Sequence, residues 1–291
     1  MNNPEPMILS IITVNLNNAS GLDKTIASVR TQSRLESVEH IVIDGGSDDG
    51  SLDVLERNRD AVTFISEKDG GIYQAMNKGV RMARGEYLLF LNSGDVLYDR
   101  DVLSEIVPAL DQAGIIIGRM RYAESGMTTP VGEKITLLHL YKSYLPHPAC
   151  FIKKSLLENK PYDESLKISS DWKFFLQTLI LDEEEYRYVD RIVSLYDENG
   201  LSSTHGELGE QERQAILRDL FPSRVIADYF GFAHGDGFSG SDYDRFFIAL
   251  KGYRYGRLMY AIDVFLMKVI ALFKKSATFV KSYPGRIKNY D

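Results

Sequence analysis

The chain has a single cysteine, Cys150, a single tryptophan, Trp172, and only five histidines, no two of them at metal-ligand spacing. One thiol excludes an intramolecular disulfide framework, and the histidine spacing argues against a zinc site. No basic leader followed by an apolar run marks a secretory signal, so a reducing, cytoplasmic setting is the expectation. Walker-type phosphate loops and Ser/His/Asp hydrolase signatures are also missing. Positive charge is scarce in the body of the chain: the formal net charge is −7, and Lys251 to Asp291 holds nine Lys/Arg against two Asp. That segment is therefore +7 and the remainder −14, which argues against general nucleic-acid binding.

What remains is an ordinary globular composition, 44% hydrophobic and 26% charged over 291 residues, enough for one large domain. The first half alternates apolar runs with helical stretches, the pattern of a parallel sheet covered on both faces. Met7 to Asn15 reads as a buried strand, Gly21 to Gln32 as a helix with Ser20 as N-cap, and Glu39 to Asp44 as the second strand. After the turn Gly45 to Gly50 come a helix from Ser51 to Asn58, a strand from Val62 to Ser66, a helix from Gly71 to Ala83, and a strand from Glu86 to Leu91. Ligands of such sheets bind beyond the carboxyl ends of the strands, where Asn15, Asp44 and Asp95 are expected to converge.

Further on, Gly114 to Tyr122 and Ala149 to Ile152 read as strands, Ile135 to Tyr144 as a helix or lid, and Asp171 to Leu181 as a helix that Asp171 begins. Tyr186 to Val189 and Ile192 to Tyr196 read as two closing strands, followed by a helical stretch from Glu207 to Tyr229. A Gly-rich linker, His234 to Ser241, separates residues 1–233 from a basic C-terminal extension, 234–291. Between Leu258 and Lys281 the polar residues fall within a sector of ~140° at ~100° per residue, an amphipathic helix too short in its apolar core for a bilayer span of ~20 residues. Such a helix lies on an anionic membrane surface, on the body of the chain, or against a second copy in a homodimer.

Four segments carry a specific resemblance: LSIITVNLNN, VIDGGSDDGS, SEKDGGIYQAMNKGVRMARGEYLLFLNSGD and ISSDWKFFL. In this order and spacing they resemble the family 2 inverting glycosyltransferases, and the third is similar to transferases of bacterial exopolysaccharide clusters of the colanic acid type. The resemblance implies an α/β GT-A fold, a Rossmann-like, mostly parallel central sheet with flanking helices. It implies transfer of a sugar, with inversion, from a UDP- or GDP-linked donor to a glycan or polyprenyl-linked acceptor, at the inner face of the cell membrane, with Mg²⁺ or Mn²⁺ as cofactor. The alternative is an inactive nucleotide-sugar-binding scaffold.

The same resemblance assigns roles. Thr13, Asn15, Asp44, Gly45, Asp69, Gly71, Asn77, Asn92 and Ser93 would line the nucleotide-sugar site, with Asp44 accepting from the base or ribose. Asp95 would bind the metal, which bridges the departing diphosphate and offsets its charge. The family's Asp-x-Asp-Asp reads here Asn92-Ser93-Gly94-Asp95, one carboxylate of three, so metal affinity without nucleotide should be weak. Lys78 and Arg84 are either phosphate ligands or a solvated helix face. Asp171 resembles the catalytic base, and His147, Trp172 and His205 would lie on the acceptor or diphosphate side.

Overall fold

The computed structural model describes residues 6–110, 113–130, 134–198 and 206–227. The chain divides into two units, Met1–Pro222 and Ser223–Asp291. Of the second, only residues 223–227 are described, as helix. The expectations for His205, for the linker and for the basic amphipathic segment fall outside the described residues.

The strands are β1 (Leu9–Asn15), β2 (Val38–Asp44), β3 (Thr63–Ser66), β4 (Tyr87–Phe90), β5 (Val96–Leu97), β6 (Ile115–Tyr122), β7 (Cys150–Lys153) and β8 (Tyr186–Tyr196). They form one sheet in the order β3-β2-β1-β4-β7-β6-β8-β5. The pairs β1–β2, β1–β4, β2–β3 and β6–β8 are parallel, and β4–β7, β6–β7 and β5–β8 antiparallel. This is the mostly parallel α/β sheet expected. All seven residues of β1 are buried, as befits a mostly apolar strand between two parallel neighbours, with Ser10, Thr13 and Asn15 buried too. Each Leu, Ile or Val so buried contributes roughly 1.5–3 kcal/mol, which fixes β1 between β2 and β4.

Helices α1 (Ala19–Arg30), α2 (Ser51–Arg57) and α3 (Ile72–Met82) connect the first four strands, as the apolar spacing required. The cap of α1 is Asn18, whose Oδ1 accepts from Gly21 N at 3.0 Å, so Ser20 is inside the helix instead of capping it. Asparagine wins because it stands three residues before a free amide, the reach an N-cap side chain needs. Helix α3 lies directly on β1: a Cβ on Gly79 would sit 2.5 Å from Ile12 Cγ2. The glycine lets helix and strand touch, and an alanine there would push them apart.

Beyond β4 the chain is more irregular, with α4 (Val102–Ile106), α5 (Leu137–Lys142), α6 (Lys154–Asn159), α7 (Ser170–Leu176) and α8 (Gly206–Leu220). A π-helical turn, Gln177–Leu181, continues α7. The two closing strands expected from the sequence are one strand, β8. Its register against β6 slips between Ile117 and Arg119 and again between Arg119 and Met120. The interruption read at Asp190 and Arg191 is a bulge whose charges are paired outside the ladder, Asp190 with Arg119 and Arg191 with Asp99 and Glu105. Strand β5 and helices α4 and α6 had no sequence expectation, since elements of two to six residues are too short to show a period.

Candidate active site

The loops at the carboxyl ends of β1 to β4 are tied into one surface by side chains. Asp44, at the end of β2, is fully buried. Its Oδ1 accepts from Asn15 Nδ2 (2.7 Å) and Ser47 Oγ (2.6 Å), and its Oδ2 from Ser66 Oγ (2.7 Å), Ser47 N (3.0 Å) and Gly46 N (3.2 Å). Burial alone would raise its pKa, but the donations from Ser47, Ser66 and Asn15 outweigh it and hold the carboxyl below its ordinary value. A carboxylate offers about four lone-pair sites, and five protein donors fill them. Asp44 therefore shapes the 45–51 loop, and direct contact with a base or ribose would have to displace one of these donors.

Asn15 extends the same network to Ser51 Oγ (2.9 Å). The β1–α1 loop then reaches the loop after β4: Ser93 N donates to Val14 O (3.1 Å) and Asn18 Nδ2 to Ser93 O (3.0 Å). Thr25 Oγ1, from α1, donates to Asp95 O (2.7 Å) and accepts from Gly94 N (3.0 Å). Asn15, Asp44, Gly45, Ser93 and Asp95 are thus brought to one edge. Asp69 joins them, since a Cβ on Gly45 would lie 3.6 Å from Asp69 Oδ2.

Three acceptors here, Asn15 Oδ1, Asp69 Oδ2 and Asn92 Oδ1, are buried without a hydrogen-bond partner. Orphaned acceptors at one sheet edge complement a ligand rich in N–H and O–H donors, or a cation. Asp95 is 3% exposed and its Oδ1 accepts from Asp197 N at 2.9 Å. Burial, with the Asp197 carboxylate beside it, pushes the Asp95 carboxyl up to about 7. A Cβ on Gly94, whose φ is +107°, would fall 2.7 Å from Asp197 Oδ2, so the second carboxylate is held over this glycine. The sequence reading did not include Asp197. It arrives through the pairing of Val96 with Leu195, which no local pattern reveals.

The other expected residues are dispersed. Thr13 is fully buried and its Oγ1 bonds Leu91 O and His40 Nε2, linking three strands within the sheet. Gly71 caps the start of α3. Asn77 holds the 162–164 segment against α3, donating to Tyr162 O and Glu164 Oε1 and accepting from Tyr162 N, a packing role away from the loops. Lys78 is paired with Glu67 and Asp69, and Arg84 with Glu39, so each would leave an ion pair to meet a phosphate.

Asp171 lies in the first turn of α7 with its side chain 26% exposed. Tyr73 Oη, from α3, is 2.9 Å from its Oδ1, and His147 Nδ1 is 3.9 Å from its Oδ2. His147 is buried, stacked on Phe90 of β4, and bonded through Nε2 to Tyr162 Oη at 2.8 Å. Burial holds its imidazole below the ordinary pKa, the nearby Asp171 opposing. It is a member of the Asp171 cluster. Trp172 is not: it is 2% exposed, donates to Leu140 O (2.9 Å) and lies under the Arg213 guanidinium, a core contact between α5, α7 and α8. The sequence expectation of Trp172 on the acceptor or diphosphate side gives way to a core position.

The fold is that of the GT-A transferases. The chain is similar to S. aureus TarS 1-349 in complex with UDP-GlcNAc (TM-score 0.61, 19% identity, 77% of this chain and 70% of that one). It spans 44% of the longer TarS chain. The mannosyltransferase PcManGT from Pyrobaculum calidifontis, in complex with GDP-Man and Mn²⁺, is similar at a TM-score of 0.57 and 16% identity, covering 94% and 90%. In sequence, an uncharacterized glycosyltransferase of Mycobacterium tuberculosis is 30% identical over 220 residues, 73% of this chain and 81% of the relative. A PGL/p-HBAD biosynthesis glycosyltransferase of Mycobacterium bovis is 28% identical over 206 residues, 68% and 80%. Residues 10–162, more than half the chain, match the model of glycosyl transferase family 2, and the protein belongs to that family.

Proposed function

We propose that the protein transfers one sugar, with inversion, from a UDP- or GDP-linked donor to a glycan or polyprenyl-linked acceptor in cell-surface polysaccharide biosynthesis. The observation that carries this reading is the separation of two carboxylate centres with opposite surroundings. Asp95 is buried beside Asp197 among orphaned acceptors, and Asp171 reaches solvent from a cluster of phenols and imidazole.

Among the described residues no group of three His, Cys, Asp or Glu is gathered as for a metal. The residues present still fit a hard divalent ion such as Mg²⁺ or Mn²⁺ shared with diphosphate oxygens. The buried Asp95 carboxylate, the half-buried Asp197 carboxylate beside it and the unpartnered Asn92 Oδ1 are oxygen ligands of the kind such an ion takes. Asp95 and Asp197 would hold the ion, which when bound supplies charge stabilisation to the departing nucleoside diphosphate. Asp44 keeps the loop around Gly45 and Gly46 in shape for the nucleotide, with Asn15 and Asp69 presenting acceptors to it.

On the other side, inversion needs a base that takes the acceptor's hydroxyl proton as its oxygen attacks. Asp171 fills this role: its carboxylate receives the proton, the acceptor oxygen bonds to the anomeric carbon, and the bond to the diphosphate breaks with its electron pair leaving on the nucleotide. The narrower colanic-acid resemblance stays an expectation of the sequence, as does membrane attachment through residues 251–291. No described helix is long and apolar enough to cross a membrane. Binding to anionic liposomes that disappears on deleting 258–291 supports surface attachment, and retained binding excludes that segment as the sole anchor.

The test is a titration of UDP- and GDP-sugars with and without Mn²⁺ against wild type and Asp95→Ala, followed by release of nucleotide. Metal-dependent binding that Asp95→Ala abolishes is the expected result. Binding without turnover across a broad acceptor panel would instead mark a scaffold, and no binding at all would overturn the reading.

A further inference from the structure

The residues behind Asp171 are more ordered than an exposed carboxylate at a helix start requires. Tyr73, Tyr162 and His147 are 5%, 2% and 8% exposed, so Asp171 is the member of the cluster that reaches solvent. They come from α3, from the 160–169 segment and from the turn before β7, and their rings are mutually packed: Tyr73 on Tyr162 at 5.6 Å, Phe90 on His147 at 5.0 Å, and Tyr162 on Phe90 at 5.4 Å. Side chains locked in this way have one geometry to offer the carboxylate.

Proton accounting fixes what they offer. Among the described residues the buried Tyr162 hydroxyl has one hydrogen-bond partner, His147 Nε2, and a phenol with one available partner donates to it. Nε2 is then the acceptor, the imidazole proton sits on Nδ1, and this N–H is the group 3.9 Å from Asp171 Oδ2. That distance exceeds a hydrogen bond, and such contacts commonly close only when substrate is bound. On the other oxygen, Tyr73 Oη stands 2.5 Å from Ile168 O and 2.9 Å from Asp171 Oδ1. Its single proton is shared between the two acceptors while Asp171 is ionised. Once Asp171 carries a proton on Oδ1, it donates to Tyr73 Oη, and Tyr73 donates wholly to Ile168 O.

We propose that Tyr73 and the Tyr162–His147 pair are positioning residues for the Asp171 base, Tyr73 holding Oδ1 in both protonation states and His147 Nδ1–H facing Oδ2. This rests on the reading of Asp171 as the base. The arrangement orients the carboxylate before the acceptor arrives and gives the transferred proton an acceptor to point at, so the proton leaves the hydroxyl without a rearrangement of the pocket. None of the three touches the reacting atoms.

The experiment compares wild type, Asp171→Asn, Tyr73→Phe and Tyr162→Phe in release of UDP from UDP-GlcNAc or GDP from GDP-mannose, whichever turns over, alongside donor Kd by calorimetry and thermal stability. Tyr73→Phe keeps the ring packing and removes one hydroxyl. The expected result is a kcat lower by roughly 10- to 100-fold with donor Kd within about twofold of wild type. For Tyr162→Phe, freeing the His147 tautomer, about 3- to 10-fold in kcat is expected, and the nitrogen NMR signature of His147 should move from Nδ1–H toward Nε2–H. If Asp171→Asn abolishes turnover while Tyr73→Phe and Tyr162→Phe leave kcat unchanged, the positioning proposal fails and the base stands. If Asp171→Asn itself turns over normally, the base reading fails first. A parallel loss of donor affinity and stability in Tyr73→Phe would make its role structural and overturn the proposal.

Discussion

Asp44 and Asp95 occupy equivalent places, both buried in the region where a parallel strand runs out, yet the protein treats them in opposite ways. Asp44 is surrounded by five donors and held below its ordinary pKa, whereas Asp95 has a second carboxylate beside it and is pushed up to about 7. A buried charge that the protein neutralises with its own hydrogen bonds is part of the scaffold. One left short of donors and crowded by a like charge is poised for something from outside. Under the proposed function the comparison separates a residue that would build the donor site from one that would bind in it, a difference identical residue types do not disclose.

Substitutions sharpen this contrast, and the largest effect lies at neither residue. Asp171→Asn should lower turnover roughly 10³-fold while leaving donor binding unchanged, since only the proton acceptor is lost. At Asp95, replacement by Ala should abolish the Mn²⁺-dependent part of donor affinity, and Asp197→Asn should weaken it by about 10-fold, with little change in the thermal stability of the metal-free protein. Asp44→Ala should behave in reverse. It removes five buried hydrogen bonds and should cost about 3 kcal/mol of stability, read as a fall in Tm, before any effect on binding is considered. If Asp44→Ala is as stable as wild type and Asp95→Ala is not, the two roles have been exchanged.

The last effect concerns pH. His40 is buried against Thr13, and burial lowers its pKa from 6.5 to about 4. The unfolded chain takes up a proton as pH falls below 6.5 and the folded chain does not until near 4, so stability is present above that window and lost progressively through it. The loss by pH 4 is on the order of 3 kcal/mol. Asp95, held up near 7, takes its proton in the folded chain over the same range and acts with the opposite sign, so the His40 contribution is read in urea between pH 7 and 4.5 as the difference between wild type and His40→Gln, which should gain stability relative to wild type as the pH falls.

The β1–β4 half of the sheet was legible in the sequence because its strands are rich in apolar residues and its loops are marked by Asn, Gly and Asp. Ends moved by a residue or two, and the cap passed from Ser20 to Asn18 because side-chain reach, not residue type, decides it. The β5–β8 half resisted for physical reasons. A bulge at Asp190 and Arg191 looked like a strand break, and β5, two residues long, carries no periodicity, yet it alone sets Asp197 beside Asp95. Asp171 was visible through its segment, but its hydrogen-bond partner Tyr73 stands 98 residues away and reaches it only through the tertiary fold. Trp172 and Asn77, adjacent to site residues in the chain or in a shared motif, turned inward because burial of a large ring and of a fully bonded amide outweighs any exposed role.

The most direct test of the account is a single-turnover experiment on Asp171→Asn loaded with the donor that wild type binds in the presence of Mn²⁺. The account predicts donor affinity equal to wild type and nucleotide release slowed by about three orders of magnitude. Release at the wild-type rate would contradict it, because the carboxylate at the head of α7 would then have no part in removing the acceptor's proton.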